Sequence, residues 1–406
     1  MKTNFLARPA SFDGFGPSVL SRQTRSELVR HIIPDERMEA RKLLRNECPY
    51  EPGVYGWLDR NGQLVYVGKS KSLRSRLLSY FAKTPADPKM FRIRQHSYQL
   101  VWEPISHELL ALIREQELIH RWRPDFNSQG QPTRAQPAFL CISGGPAPNA
   151  FMARRISKRT SLTFGPIRGT NQLRHAIIAL NQAFRLRDCP DKTRFDFNNQ
   201  RTLFDDPATA KCIRYELGSC PGPCAGACSQ SEYQANVGRA VDFLEGRDSS
   251  ILDELEVRMR KAAEQHAFEV AAVLRDYLDQ LTWLDRRLAS LRMAQTTLNG
   301  IVPIRTQRSR WCWMVLKRGR LVMTGGRPDR ASRAEKAEQR IRKIASESST
   351  IPANLLEMQL QLIVISWFRK NPDHLAELLS FDKAIEYCKK KSERAGCTHD
   401  LGRIAR

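Results

Sequence analysis

The stretch Gly53–Phe81, GVYGWLDRNGQLVYVGKSKSLRSRLLSYF, decides the fold of its part of the chain. GVYGWL and QLVYVG have the aromatic and β-branched composition of short strands. Asn61-Gly62 between them predicts a type I′ hairpin turn, because both central positions of that turn need a positive φ. Ser70 then predicts the N-cap of a helix over Lys71–Ala82. The stretch therefore predicts a hairpin followed by a helix.

The predicted helix combines an apolar face with cations. Its apolar residues recur at helical spacing and should face a core: Leu73, Leu77, Tyr80 and Phe81. Arg76 and Tyr80 are four residues apart and share a face. Gly68 allows a sharp turn and the close approach of a ligand. Five cations and no acid lie between Asn61 and Ala86, which favours binding of a phosphodiester backbone.

An acid for metal-assisted hydrolysis has to come from elsewhere, and the predicted helix Ser106–Trp122 offers three glutamates. Glu108 suits the first turn of that helix. Glu117 has cations at helical spacing and is expected to be a surface ion-pairing residue. Glu115 has apolar neighbours on its flank, where a carboxylate is costly unless it is paired or binds a metal. Glu115 is therefore the candidate ligand, and pairing with an arginine is the alternative.

The composition indicates a globular, nucleic-acid-binding protein. The 406 residues suggest about three domains. The net charge of +23 implies a polyanionic partner, and nucleic acid is favoured over a membrane because no long basic amphipathic helix with bulky aromatics stands out. No apolar run is long enough to span a bilayer and no secretory signal is evident, so we expect a reducing, cytoplasmic location.

The predicted fold class is α+β, with a small antiparallel sheet flanked by helices. The predicted organisation is an N-terminal extension at 1–45, a first compact domain at 46–130, a cysteine-bearing middle region at 131–230, a helical segment at 231–291 and a basic α+β region at 292–406, whose WCWMVLKRGRLVMTGG predicts a hairpin. Three basic surfaces are predicted to contact DNA: Lys69–Arg94, Arg121–Arg134 and Lys317–Lys343.

Gly53-Val54-Tyr55 followed by Tyr66-Val67-Gly68 resembles the signature of the GIY-YIG nucleases. The longer pattern resembles the UvrC family of nucleotide-excision-repair endonucleases. It continues through RPDFN, FGPIRGTNQLRHAIIALNQAFRLRDC, CIRYELGSCPGPC and FEVAAVLRDYLDQL, in the family's order. The resemblance covers about residues 49 to 290 and is more specific than the short signature alone.

The resemblance implies roles for residues at matching positions. Tyr66 would act as general base or water activator, with Lys69 favouring its phenolate, and Tyr55 would orient the nucleophile or substrate. The remaining implied site residues are Gly68, Arg76 and Tyr80 at the scissile phosphate, Glu115 on one divalent Mg²⁺ or Mn²⁺, and Asn127 as support. We find no second nuclease site after residue 291, so the pattern resembles the short, single-nuclease Cho-type members, and the implied cut is 3′ to a lesion.

Four cysteines match positions to which the family's iron–sulfur cluster is attributed: Cys189, Cys212, Cys220 and Cys224. Thiolates ligate [4Fe–4S] clusters and structural zinc alike. A cluster is the favoured interpretation, with zinc and unliganded thiols as alternatives. Cys228 is an extra candidate.

The segment LDELEVRMRKAAEQHAFEVAAVLRDYLDQLTWL resembles the UVR motif, a helical hairpin. In the family this hairpin pairs with the damage-loading helicase UvrB, and Phe268 matches the docking phenylalanine. Leu274, Leu278 and Leu281 continue its apolar stripe. The alternative is a hairpin that packs only on its own domain.

The implied function is incision of damaged double-stranded DNA after a UvrB-like helicase has loaded. Two other interpretations stay open. One is a catalytically silent recruitment module of the repair machinery. The other is a GIY-YIG nuclease of recombination or mobile elements, against which the UVR-like segment and the FGPIRG and CIRYELGSC matches argue.

Overall fold

The structure is a computed structural model. It describes residues 12–18, 29–32, 36–83, 87–127, 136–190, 192–198, 212–306, 310–347 and 351–400. The chain divides into two compact units. The first comprises residues 1–133, 294–352 and 356–406, and the second comprises residues 134–293 and 353–355.

The first unit begins with a four-stranded antiparallel sheet flanked by helices, as the α+β prediction requires. In chain order its elements are β1 (Val29–Ile32), α1 (Arg37–Glu47), β2 (Gly53–Leu58), β3 (Leu64–Ser70), α2 (Leu73–Ser79), α3 (Pro88–Gln95), β4 (Gln99–Pro104) and α4 (Glu108–Trp122). The strand order β1-β4-β2-β3 places β2 in the interior and β3 at an edge.

Apolar side chains cover both faces of this sheet, which is why every residue of β2 is buried. On one face Tyr55 and Trp57 pack with residues of α1, α2 and α3. On the other face Val54 packs with α4 and with Phe12 and Phe15. The predicted extension 1–45 thus supplies a strand and two core aromatics to the nuclease sheet.

The predicted local elements are present, with corrections at their ends. The β2–β3 connection is not a type I′ turn, because Gly62 reaches a positive φ and Asn61 does not. The Gly62 N–H donates to Asp59 O and the Gln63 N–H donates to the Asp59 carboxylate, so the loop is longer. The following helix is capped by Ser72 and not by Ser70, whose hydroxyl bonds to Ser72 instead. Its predicted apolar stripe is fully buried.

The C-terminal part of the first unit builds a second sheet on the outside of α4. Its elements are β8 (Gly300–Arg305), β9 (Trp311–Lys317), β10 (Arg320–Gly326), α10 (Ala331–Ser346), α11 (Leu355–Lys370) and α12 (Phe381–Asp400). The β9–β10 hairpin confirms the predicted hairpin, and Arg318 and Gly319 at its turn both have positive φ. Leu109 and Ile113 of α4 lie in the same core as β8, β9 and α11.

The second unit packs a three-stranded sheet against helices in one continuous core. Its elements are β5 (Ala138–Ser143), β6 (Ala150–Ala153), β7 (Thr160–Ile167), α5 (Thr170–Ala183), α6 (Ile213–Glu216), α7 (Gln230–Glu245), α8 (Ser250–Glu264) and α9 (Phe268–Thr297). Among the described residues, no helix has both the length and the apolar character needed to cross a membrane.

Candidate active site

Tyr55 and Gly68 face each other across the β2–β3 pair. A Cβ atom on Gly68 would lie 2.6 Å from both Cζ and Oη of Tyr55. Gly68 therefore makes room for the tyrosine ring to lie flat across the neighbouring strand. The sequence predicted a sharp turn and the close approach of a ligand at this glycine. The turn is wrong because the Gly68 backbone is extended within β3, and the group that approaches it here is the Tyr55 ring.

The Tyr55 hydroxyl is the centre of a buried polar network. It lies 3.1 Å from the Tyr80 hydroxyl and accepts a hydrogen bond from Arg76 Nε, also at 3.1 Å. Tyr55 and Tyr80 are almost fully buried, and the Arg76 guanidinium also lies 5.5 Å from the centroid of the Tyr80 ring. Two tyrosines thus fix the orientation of one arginine, whose remaining N–H groups can bind a phosphate.

Tyr66 lies beside this network, with its ring centroid 6.1 Å from that of Tyr55. Burial raises the pKa of Tyr66, Tyr55 and Glu115 raise it further, and Arg76 opposes them. The phenol is therefore neutral at neutral pH. The Lys69 ammonium lies 4.0 Å from the Glu108 carboxylate, and its expected effect on this phenol stays a prediction.

Glu115 is half-buried on α4, and its carboxylate accepts a hydrogen bond from the Lys69 backbone N–H. Burial raises the pKa of this carboxyl to about 7, against the opposing charges of Lys69, Arg76 and Lys89. The same carboxyl acts on the pKa of Tyr66. The structure therefore brings Glu115 and Tyr66 within electrostatic reach of each other.

Glu117 forms the ion pair predicted for it, but it lies in the interior and not on the surface. Arg114 Nη1 lies 3.1 Å from Glu117, and Arg114 also bonds to Glu103. Glu117 accepts a further hydrogen bond from the Ser18 hydroxyl at 3.1 Å. The segment Phe12–Ser18 covers this side of α4, which helix periodicity alone does not reveal.

The outer edge of β3 is closed by polar groups of the site. Asn127 Oδ1 accepts from the Val67 N–H and Asn127 Nδ2 donates to the Val67 carbonyl, both at 2.8 Å. The Phe126 N–H donates to Val65 O at 3.0 Å. The Lys69 backbone N–H likewise bonds to Glu115. These contacts give hydrogen-bond partners to the outward-facing backbone groups of three alternate residues of the edge strand: Val65, Val67 and Lys69. Asn127 thereby holds the strand that carries Tyr66.

Lys89 is a site residue that the motif comparison missed. It lies at the start of α3, with Nζ 5.3 Å from the Tyr66 ring centroid, and its charge opposes the raised pKa of Glu115. It comes from a separate helix, so only its place in a basic segment could have pointed to it.

The donor set around Glu115 fits a magnesium-like ion with one protein ligand. Among the described residues, no group of three His, Cys, Asp or Glu side chains could hold a metal ion. Mg²⁺ commonly keeps several waters and takes one or two carboxylates together with substrate phosphate. A single half-buried carboxylate beside phosphate-binding cations is compatible with that chemistry.

The four predicted cluster cysteines lie near one another in the second unit. Burial raises the pKa of Cys220 to about 11, and the thiols of Cys189, Cys224 and Cys212 raise it further. As placed, however, these thiols are not among any metal-holding group in the described part of the chain. Residues 191 and 199–211, between the first two cysteines, lie outside the described residues.

Phe268 begins α9 directly after the turn at His266, and 65% of its surface is exposed. Leu274 and Leu281 of the expected docking stripe are buried in the unit's own core. The exposed large apolar side chains of the α8–α9 hairpin are Phe268, three valines (Val257, Val270 and Val273) and, toward the end of α9, Met293.

Of the predicted basic surfaces, the second is partly occupied by internal bonds. Arg121 donates to the carbonyls of Phe15 and Pro17 at 2.6 and 2.9 Å. Residues 128–134 of that surface lie outside the described residues.

Two family models and several known proteins match parts of this sequence. Residues 51–128 match the family model of the UvrC-like GIY-YIG domain, and residues 138–243 match that of the UvrC/Cho excinuclease middle domain. These two segments of the chain are similar to UvrC proteins. UvrABC system protein C of Pseudomonas aeruginosa is 37% identical over 229 residues, which are 56% of this chain and 36% of that protein. The protein of the same name from Ectopseudomonas mendocina is 35% identical over 58% of this chain and 37% of its own length.

The match to these UvrC proteins spans little more than a third of their length. Among solved structures, the GIY-YIG N-terminal endonuclease domain of UvrC from Thermotoga maritima is 38% identical, over 21% of this chain and 93% of that domain, with a TM-score of 0.20. This domain is similar to residues of the present chain in sequence.

Proposed function

We propose that this chain is a metal-dependent DNA endonuclease of nucleotide excision repair. One observation carries the proposal: the half-buried Glu115 carboxylate and the Arg76 guanidinium both lie within electrostatic reach of the Tyr66 phenol, over whose ring Lys89 of α3 lies. A convergent acid, hydroxyl and cation suit hydrolysis of a phosphodiester. The UvrC-like sequence supports DNA as the substrate.

Each side chain has a role that follows from its surroundings. Glu115 would hold one divalent metal, as the Thermotoga maritima domain is described as bound to its catalytic magnesium, and that ion would supply charge for the developing phosphorane. Arg76, oriented by Tyr55 and Tyr80, binds the scissile phosphate.

Tyr66 orients the attacking water as a neutral phenol, because burial raises its pKa. In this role the phenol oxygen accepts a hydrogen bond from the water and aligns it with phosphorus. Lys69 supports the site through its backbone N–H to Glu115. Gly68 leaves room for the Tyr55 ring, and Asn127 holds β3 through its hydrogen bonds to Val67.

The finer proposal is a single cut 3′ to a lesion, in DNA onto which a UvrB-like helicase has been loaded. Phe268 and the three valines form the exposed apolar surface to which the helicase hairpin would dock. A cytoplasmic location follows from this role. For the four cysteines we retain a [4Fe–4S] cluster as the favoured ligand and zinc as the alternative, because Cys189 and Cys212 lie close enough to contribute to the raised pKa of Cys220 and of Cys224.

The test uses lesion-bearing duplex with a UvrB-like helicase and Mg²⁺, with the cuts mapped on both strands. We expect one cut 3′ to the lesion and at least about a hundredfold slower cutting by Glu115→Gln, because loss of an electrostatic stabiliser has about that effect on a reaction. Glu264→Gln, at the end of α8, is the matched control and should cut normally.

Equal cutting by Glu115→Gln and the native chain would contradict the proposed site. Absence of any cut by the native chain would favour a recruitment module. Cutting of undamaged DNA at a fixed sequence without the helicase would favour another kind of nuclease.

Docking is tested separately by helicase-dependent recruitment to damaged DNA. Phe268→Ser should weaken recruitment at least about tenfold, since an exposed aromatic anchor contributes 2 kcal/mol or more at a typical hot spot. Ile178→Ser, which changes an exposed apolar residue of α5, is the control. Recruitment that is unchanged by Phe268→Ser would contradict docking at this surface.

A further inference from the structure

An open cavity of about 550 Å³ lies between the β2–β3 turn and the end of α3. This volume is within the range of small-ligand sites. Its lining includes Asp59, Arg60, Asn61, Phe91, Arg94 and Tyr98. The proposed catalytic roles involve none of them.

Two aromatic side chains face solvent at this cavity. Phe91 is 49% exposed and Tyr98 is 41% exposed, whereas Tyr55, Trp57 and Tyr80 of the same sheet and helices are buried. Exposed aromatic rings inside a basic groove are the surfaces on which unpaired bases stack. The two rings therefore give the cavity a base-binding character that packing does not explain.

The polar groups of the lining suit the remainder of a nucleotide. Arg60 has no ion pair among the described residues, and the Arg94 guanidinium lies 4.8 Å from the centroid of the Phe81 ring. Both cations can bind a phosphate. Asn61 offers an amide to a base edge. The Asp59 carboxylate accepts from the Gln63 N–H at 2.8 Å, which directs one of its oxygens to the turn.

The cavity and the candidate active site are joined by one short helix. α3 carries Lys89 over the Tyr66 ring at its start and Gln95 in the cavity lining at its end. Six residues of helix span about 9 Å. That distance corresponds to roughly three nucleotide steps at 3.4 Å per step along one strand.

We propose that this cavity binds one unpaired nucleotide of the strand being cut, with its base against Phe91 and Tyr98 and its phosphate on Arg60 and Arg94. The proposal rests on the proposed function only for the identity of that strand. Base binding would hold the strand in place while a phosphate roughly three nucleotide steps away lies at Tyr66 and Arg76.

The test measures binding by the full chain without divalent metal, so that no cleavage is needed. The probes are a fluorescent single-stranded oligothymidylate and an abasic oligomer of the same length and charge. We expect the oligothymidylate to bind roughly tenfold more tightly than the abasic oligomer, because a stacked base gives an effect of that order. The double variant Phe91→Ala/Tyr98→Ala should lose this preference.

Trp311→Ala is the matched control, since Trp311 is also 41% exposed but lies on β9. It should keep the full preference. Phe91→Leu keeps apolar volume without a ring, and it should weaken the preference even if the double variant fails to fold.

A preference that persists in Phe91→Leu and in the double variant, or no preference in the native chain, would overturn the proposal. The binding test and the cleavage test can fail independently of each other. A native chain that prefers the base-bearing probe but cuts no DNA would leave the cavity assignment standing and overturn the proposed function.

Discussion

Glu115 and Glu117 lie two residues apart on the same helix, yet they have different surroundings. Glu117 is surrounded by Arg114 and the Ser18 hydroxyl, which satisfy its carboxylate. Glu115 receives one backbone N–H, and burial raises its pKa to about 7. A half-buried carboxylate that accepts one backbone hydrogen bond and has a raised pKa is characteristic of a functional site. The difference depends on what covers each face of the helix.

Gly68→Ala tests the close approach of Tyr55. The added Cβ would lie 2.6 Å from the ring, so we expect about 1–3 kcal/mol of destabilisation and a matching loss of cleavage. Gly238→Ala, where nothing lies within 4 Å of the added Cβ inside α7, should instead stabilise by about 0.5–1 kcal/mol. Urea unfolding measures both, and equal effects of the two changes would contradict the steric argument.

His107 predicts a pH dependence of stability. Burial lowers its pKa from 6.5 to about 4, and His374 lowers it further while Glu108 opposes this. The unfolded chain therefore binds a proton first as the pH falls. The stability from the neutral ring is complete above pH 6.5 and is lost between pH 6.5 and 4.

The loss should reach about 2–3 kcal/mol, since one pKa unit corresponds to 1.36 kcal/mol. His107→Asn keeps a side chain that can cap α4 and should flatten the free energy of unfolding between pH 6.5 and 4. His96→Asn, at an exposed position, should leave the slope unchanged. A slope that survives His107→Asn would assign it to another group.

At the scale of elements, the edge strand β3 is the part of the sheet on which the site is built. Edge strands expose N–H and C=O groups that attract other strands. Here Asn127, the Phe126 N–H and Glu115 pair with those groups, so closing the edge and assembling the site use the same contacts. α4 is fixed in turn by Phe12–Ser18 and by the core it shares with β8, β9 and α11.

Asn127→Ala tests this closure. Removal of the side chain leaves the buried Val67 N–H and C=O without their partners, so we expect a loss of about 2–4 kcal/mol in the free energy of unfolding. Asn171→Ala, at an exposed position in α5, should change it by less than about 0.5 kcal/mol. A loss of activity without any loss of stability would mean that Asn127 acts on the substrate and not on the strand.

At the scale of the whole molecule, the excess of cations governs DNA binding. With a net charge of +23, binding should weaken steeply with salt. Lys89→Gln should reduce the slope of log K against log salt by about 1, because each phosphate contact contributes about 0.9 to it. Lys370→Gln, an exposed cation outside the predicted basic surfaces, should leave the slope unchanged. Equal slopes for both variants and the native chain would place Lys89 away from the phosphates.

The sequence by itself determined the hairpin and helix of Gly53–Phe81 and the second hairpin, because these depend on alternation, helical spacing and turn residues close together in the chain. Helical spacing also singled out Glu115 as the candidate metal ligand, which stays a prediction. Its motifs also carried the UvrC-like assignment. The helix that begins after Ser72 instead of Ser70 and the longer β2–β3 loop show where local sequence patterns alone do not select one structure.

Only the tertiary structure decided which groups meet across the chain. It placed Phe12–Ser18 over Glu117, Lys89 over the Tyr66 ring and Asn127 along β3. It also placed the Lys69 ammonium 4.0 Å from the Glu108 carboxylate. Burial and charge depend on neighbours that are distant in sequence, so the pKa of Tyr66 and of Glu115 could not be read from spacing.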